Sequence, residues 1–382
     1  MNQNTGEEMP MKPRTDAKTF GRRALSVLLF LAIAAGVFFP VQWLLVDKYQ
    51  PDQYWPPRYR DYAAAQEQVD VVFIGSSTVF WGISPMALWN EAGITSMNMG
   101  GVLMQHTMAH EELQTLLEMN KAPKCVVFSV DSLYNHYAVD DAKLEPAFFA
   151  QINTLPTAAQ RKRAFDHYRA EGGRKITPGN LLLPLLRYHA RWNQLTEEDF
   201  IPASRYDGQY QSFVKGQGIH RESIDITEFM ETEQITEGEI PFPEDAMEGW
   251  REFVSLCREN DILPIAILMP RFDDSLRGSV QEQVTGFFED MGVDVINYMD
   301  EVSLAEMNWN YHDFFKDRIH LNFAGSLYLA SDLAWRLMDL ADVEDHREDP
   351  AFESWHDDWA LFEETYAHDL EKVSQYQETG EE

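Results

Sequence analysis

Val69-Asp70-Val71-Val72-Phe73-Ile74-Gly75-Ser76-Ser77 is the stretch that decides the architecture. Residues 69–74 form a short apolar run rich in β-branched side chains, as a strand buried on both faces requires. Gly75 then permits a tight turn, and Ser77 projects its hydroxyl from that turn with its own N–H open to an oxyanion. Working outward, strand and helix signals alternate. A helix is expected over 85–92 behind Ser84 as N-cap, a short strand over 95–99 ending at Gly100-Gly101, a helix over 106–120 and a buried strand over 125–130. Later come a helix at 243–260, a strand at 262–269, a helix at 278–291, a strand at 293–296 and a helix at 323–340. Such βα alternation implies a parallel sheet of about five strands covered on both faces, an α/β fold of the three-layer α/β/α sandwich kind. Ligands of such sheets sit at the carboxyl ends of the strands, where Gly75-Ser76-Ser77 lies.

A second stretch, Asp317-Arg318-Ile319-His320-Leu321-Asn322, precedes the last helix. A histidine there reaches the carboxyl edge of the sheet and can act as general base. An aspartate three residues earlier can accept from its other ring nitrogen and hold the tautomer. Either stretch alone reads equally well as a helix cap. Together, in the order Ser, Asp, His, they supply the groups of nucleophilic acyl chemistry.

These blocks resemble the SGNH (GDSL-type) hydrolase superfamily, whose fold is flavodoxin-like. The family's opening Gly-Asp-Ser corresponds to Gly75-Ser76-Ser77, which implies Ser77 as nucleophile with Asp317 and His320 completing a triad. Its second block, a glycine whose N–H serves the oxyanion hole beside that of the nucleophile, matches Gly100 or Gly101 in Asn98-Met99-Gly100-Gly101. Its third block, Gly-x-Asn-Asp, is replaced by Ser129-Val130-Asp131-Ser132, so Asp131 stands where the family has an oxyanion-donating Asn. An ionised carboxylate cannot donate there. Asp131 must be protonated, turned away or occupied otherwise, for instance with a substrate hydroxyl or a metal. Asn135 is a weak substitute. The blocks cover residues 69–135 and 260–340.

Residues 24–46 carry no charge and are long enough to span ~30 Å of hydrocarbon. Lys12, Arg14, Lys18, Arg22 and Arg23 precede them, so a signal anchor would leave the N-terminus in the cytoplasm. A signal peptide cleaved near Ala32-Ile33-Ala34 is the alternative. Anchor, Gly-Ser-Ser form and long central insert together resemble a membrane-anchored extracytoplasmic branch. Its members include D-alanyl-lipoteichoic acid biosynthesis protein D and the alginate O-acetylation proteins. That resemblance implies an acylated glycan or polymer as substrate and a multi-pass membrane O-acyltransferase as partner, with no cofactor.

The expected organisation is a cytoplasmic tail (1–23), the anchor (24–46), a stalk (47–68), the SGNH-like domain (69–342) with an inserted subdomain or lid (about 138–242), and an acidic tail (343–382). In that tail Trp355, Trp359, Leu361, Phe362 and Tyr366 recur at helical spacing, as an amphipathic helix packed on the domain would have them. A net charge of −32 excludes nucleic-acid binding. Cys125 and Cys257 lie in apolar stretches as two buried thiols, and no Cys/His spacing indicates zinc. His106 and His110 share a helix face without the glutamate of a metal motif and read as helix-surface histidines. Arg271 follows a strand at the functional edge, where it could hold an anionic substrate group or a surface ion pair. Trp81 could stack on a sugar or fill the core. Arg187, His189 and Arg191 line either a polymer groove or solvent.

Overall fold

The computed structural model describes residues 17–46, 55–65, 68–133, 141–170, 185–201, 211–227, 238–271, 278–300 and 306–379, with 179, 183 and 303. Asn135 lies outside them, as do the first half of the stalk and several parts of the insert. Five strands, β1 (Val71–Ile74), β2 (Ser96–Asn98), β3 (Cys125–Ser129), β4 (Leu263–Leu268) and β5 (Asp294–Asn297), pair in the order β2-β1-β3-β4-β5, all parallel. The helices are α1 (Ala17–Leu45), α2 (Trp55–Ala64), α3 (Ser77–Gly82), α4 (Pro85–Ala92), α5 (His106–Leu117) and α6 (Asp141–Thr154). They continue with α7 (Ala158–Ala170), α8 (Glu244–Glu259), α9 (Ser279–Glu289), α10 (Phe323–Leu340) and α11 (Glu353–Thr379).

Side chains alternate across a strand, so the apolar run of β1 feeds two cores. Val71 and Phe73 pack with Met86, Leu88, Leu329 and Phe362 from α4, α10 and α11. Val72 and Ile74 pack with Leu113, Trp250, Phe253 and Val284 from α5, α8 and α9. The result is a three-layer α/β/α sandwich. The chain moves from β1 outward to β2, then returns past β1 to β3. That reversal opens a crevice at the carboxyl ends of β1 and β3. A small antiparallel pair, β6 (Phe315–Asp317) and β7 (His320–Leu321), sits ahead of α10. Cys125 and Cys257 are buried free thiols, and burial pushes that of Cys257 up to about 12.

Three outlying parts close around this frame. The described half of the stretch expected to be a stalk is docked: Arg58, Tyr59 and Tyr62 of α2 are buried. Arg58 Nη1 donates to the carbonyls of Asn98 (2.9 Å) and Gly100 (2.8 Å), beneath the β2 turn. Residues 211–226 of the insert run as a strap beside the crevice. The strap's Lys215 carbonyl accepts from Asn98 N–H, its Gly218 N–H donates to Phe80, and its Ile224 N–H donates to Phe315. Gly216 has φ +91°, and a side chain there would strike the Asn98 carbonyl, so glycine is required. The acidic tail forms α11, with Trp355, Phe362 and Tyr366 buried. Leu361, which the spacing placed in the same stripe, faces out, and the helix is kinked at Tyr366.

Helix α1 is long and apolar enough to cross a membrane. Leu25, Phe30 and Phe39 are 67%, 69% and 62% exposed, so the folded chain leaves its apolar surface bare.

The α2 dock buries a carboxyl. Tyr59 Oη donates to Glu112 Oε2 at 2.6 Å, while Glu112 Oε1 is buried without a partner among the described residues. Burial raises the Glu112 carboxyl from 4.5 to about 7, with Tyr59 and Arg58 pulling the other way. A raised carboxyl favours the fold in its neutral form, a contribution full below the unfolded value and lost as pH rises through about 7. Thermal unfolding should therefore show stability falling between pH 5 and 8. Glu112→Gln should flatten that dependence; an unchanged slope would count against the neutral carboxyl.

Candidate active site

The turn after β1 is built by three hydroxyl-bearing residues and one carboxylate. Ser76 caps α3, its Oγ accepting from Thr78 N–H at 3.2 Å. Ser76 N–H donates to Ser129 Oγ at 3.0 Å. Asp131 Oδ2 accepts from Ser76 Oγ, from Thr78 Oγ1 (2.8 Å) and from Ser129 Oγ (3.1 Å). Asp131 Oδ1 pairs with Arg271 Nη1 at 3.1 Å, both side chains being buried. Gly75 allows this crossing by its missing side chain: a Cβ there would collide with Ser129 Oγ and lie 2.9 Å from Val79 Cγ2. Close approach, more than the tightness of the turn, demands the glycine.

With Ser76 consumed as cap, Ser77 opens the helix. Its Oγ lies 2.7 Å from His320 Nε2. His320 Nδ1 lies 2.8 Å from both carboxylate oxygens of Asp317. The β6–β7 hairpin sets this pair: Asp317 Oδ1 also accepts from the N–H groups of Ile319 (2.9 Å) and His320 (3.0 Å). Burial works against the Asp317 charge, but the His320 hydrogen bond, the Ile319 N–H and nearby Lys316 hold its carboxyl below the usual range. Asp317 is therefore ionised at neutral pH, as orienting a neutral imidazole by Nδ1–H requires.

Trp81 buttresses the histidine. Its ring meets His320 edge-on at 4.7 Å between centroids and 87°, and Lys316 Nζ lies 3.4 Å from the ring centroid. One indole face is thus covered by an ammonium.

The two glycines expected to serve the oxyanion hole both have engaged N–H groups. Gly100 N–H donates to Asn98 Oδ1 at 3.0 Å, and Gly101 N–H donates to the Gly75 carbonyl at 2.8 Å. Asn98 in turn donates through Nδ2 to the carbonyls of Val79 (2.8 Å) and Ile83 (2.9 Å), latching α3. The Ser77 N–H belongs to the first turn of α3, whose donors have no acceptor inside the helix. Asp131 is occupied otherwise than with an oxyanion, and Arg271, read as a substrate contact or a surface ion pair, forms a buried ion pair with it.

The histidines of α5 correct the surface expectation. His106 is fully buried against Gly249, and His110 is half-buried. Among the described residues one cluster, His110, Glu111 and His167, could hold a metal ion. Arg163 Nε donates to its carboxylate at 2.7 Å and His167 Nδ1 lies 2.9 Å away. Burial opposes the Glu111 charge, but those hydrogen bonds hold it at about 2. The cluster acts as an ion-pair clamp between α5 and α7.

Sequence reading missed Arg58, Ser129, Lys316 and the strap glycines. Ser129 carried a signal, since it ends the strand before Asp131. Lys316 directly precedes Asp317, while Arg58 and the strap glycines come from elements with no local pattern near the site.

The fold and these residues define an α/β protein with a serine–histidine–aspartate line at the carboxyl edge of a parallel sheet. No family model and no curated protein matches the chain. Among solved structures it is similar to a G-D-S-L family protein from Desulfitobacterium hafniense DCB-2, 11% identical with a TM-score of 0.35, covering 71% of this chain and 99% of that one. It is also similar to a GDSL-like lipase from Bacteroides thetaiotaomicron VPI-5482, 10% identical with a TM-score of 0.34, covering 76% of this chain and 99% of that one. Identity this low leaves the chemistry of the site to its own geometry.

Breaking the buried Asp131–Arg271 pair from one side should destabilise the fold by roughly 3–5 kcal/mol. Denaturant unfolding of Asp131→Asn measures this, and adding Arg271→Met should recover part of the loss. Wild-type stability in the single variant would show that the pair does not hold the turn.

Proposed function

We propose that the chain is an extracytoplasmic serine esterase or O-acyltransferase acting on an acylated cell-envelope polymer. The observation that carries this reading is the unbroken line from Ser77 Oγ through His320 to Asp317, at 2.7 and 2.8 Å. In the proposed reaction His320 Nε2 takes the Ser77 proton as Oγ attacks the acyl carbonyl. The oxyanion is held by the Ser77 N–H, with the Gly100 N–H released from Asn98 as second donor. The imidazolium, stabilised by Asp317, returns the proton to the leaving alcohol. Water, or a glycan hydroxyl in transfer, then resolves the acyl-enzyme by the reverse path.

The envelope setting is supported by α1, whose bare apolar surface suits a lipid anchor with the domain outside. The polymer substrate, and a multi-pass membrane O-acyltransferase as partner, rest on the family resemblance of the sequence blocks. A second reading, an SGNH-like scaffold without turnover, is favoured by one observation: Gly100 and Gly101 keep their N–H groups engaged.

The two readings separate by mass spectrometry of the full-length protein after treatment with a fluorophosphonate. Wild type should gain one adduct, and Ser77→Ala should gain none while unfolding at the same temperature. An unmodified wild type would leave the scaffold reading standing. On p-nitrophenyl acetate, Asp317→Asn should lower kcat by on the order of 10⁴-fold, because the amide favours the wrong tautomer. A loss below tenfold would remove Asp317 from the proposed mechanism.

A further inference from the structure

Part of the insert packs against the C-terminal end of α1. Arg191 Nη1 donates to the Leu45 carbonyl at 3.0 Å, satisfying an orphan acceptor at the C-terminal end of α1. Arg191 Nη2 pairs with Asp199 Oδ1 at 2.9 Å, and Asp199 Oδ2 accepts from Thr196 N–H at 2.9 Å. Asp199 is buried, so this chain of bonds clamps the turns His189–Asn193 and Glu197–Phe200 onto the helix end. Arg191 is thus neither a groove residue nor a solvated one, while the side chain of Arg187 is outside what the structure describes. Beside the clamp, Trp192 is 71% exposed and Phe200 62%.

The helix fixes the height of these two rings. The apolar span Phe20–Leu45 has 26 residues. The part beyond Arg22 and Arg23, residues 24–45, is about 33 Å long at ~1.5 Å per residue, against ~30 Å of hydrocarbon. Arg22 and Arg23 hold its other end at a headgroup layer, so Leu45 falls at the opposite boundary. Trp192 follows the residue that bonds Leu45, which brings its exposed ring close to that boundary, where indole rings partition best. The exposed Glu197 and Glu198 and the net charge of −32 favour a zwitterionic over an anionic surface.

We propose that residues 189–201 form an interfacial shelf, with Trp192 and Phe200 seated in the headgroup–acyl boundary of the bilayer that α1 crosses. The inference rests on α1 spanning a membrane and is independent of which side the domain occupies. Two attachment points, α1 and the shelf, fix the rotation of the domain over the bilayer, which a single helix cannot do.

The test uses the full-length protein in phosphatidylcholine nanodiscs with plain or brominated acyl chains. Tryptophan fluorescence is compared for wild type, Trp192→Phe and Trp43→Phe. The wild-type-minus-Trp192→Phe component should lose at least half its intensity to bromine and resist aqueous iodide. The Trp43 component, from α1 itself, reports the anchor separately. Bromine quenching of Trp43 with an iodide-sensitive, bromine-insensitive Trp192 would overturn the shelf and leave the anchor. Quenching of neither would overturn both.

Discussion

The site depends on one carboxylate. Asp131 gathers Ser76, Thr78 and Ser129 on one oxygen and Arg271 on the other, and so ties the ends of β1, β3 and β4 to the start of α3. Its attraction to Arg271 at 3.1 Å is on the order of 5 kcal/mol gross at an effective dielectric of about 20. Taking both ions out of water costs several kcal/mol each, so the pair adds little net stability. What the pair provides is position. With Ser76 bound to the carboxylate, the turn has one orientation, and Ser77 is the hydroxyl it presents to His320. The guanidinium also neutralises a charge that would oppose an oxyanion nearby.

Around this node the supports come from far along the chain. Arg58 of α2 holds the Asn98–Gly100 carbonyls from below, and the strap at 211–226 bonds the same turn and the β6 edge. Trp81 and Lys316 wedge the imidazole. The element that follows α1 in the chain, α2, is therefore built into the turn that carries Gly100. Its dock runs through the buried Tyr59–Glu112 pair, whose carboxyl is raised by burial.

The parallel sheet was legible because β-branched runs buried on two faces have few other readings, and all five strands fall within a residue or two of their expected places. Ser77, Asp317 and His320 were legible because short blocks at strand ends and helix starts carry local geometry. The role of Asp131 was not: its four partners are separated from it by 2 to 140 positions, and only folding brings Arg271 to it. Arg58 was hidden for the same reason, inside a stretch whose Pro and Tyr content reads as a linker. The engaged glycine amides were invisible because sequence locates a backbone donor without showing what it already holds.

Those amides bear on whether the site turns over. A neutral internal hydrogen bond such as Gly100 N–H to Asn98 Oδ1 contributes about 1 kcal/mol net. A donor to a developing oxyanion contributes about 3 kcal/mol. Exchange leaves the buried Asn98 Oδ1 without its donor at a cost of about 1–3 kcal/mol, so transfer of the amide to the oxyanion is favourable by at most about 2 kcal/mol, and only once charge develops. The Asn98 side chain keeps its place meanwhile, because its Nδ2 bonds to Val79 and Ile83 do not involve the oxygen that is released. An amide parked in this way is compatible with catalysis and stabilises the transition state more than the ground state. The engaged glycines thus weigh less for a scaffold than the intact Ser77–His320–Asp317 line weighs for an enzyme.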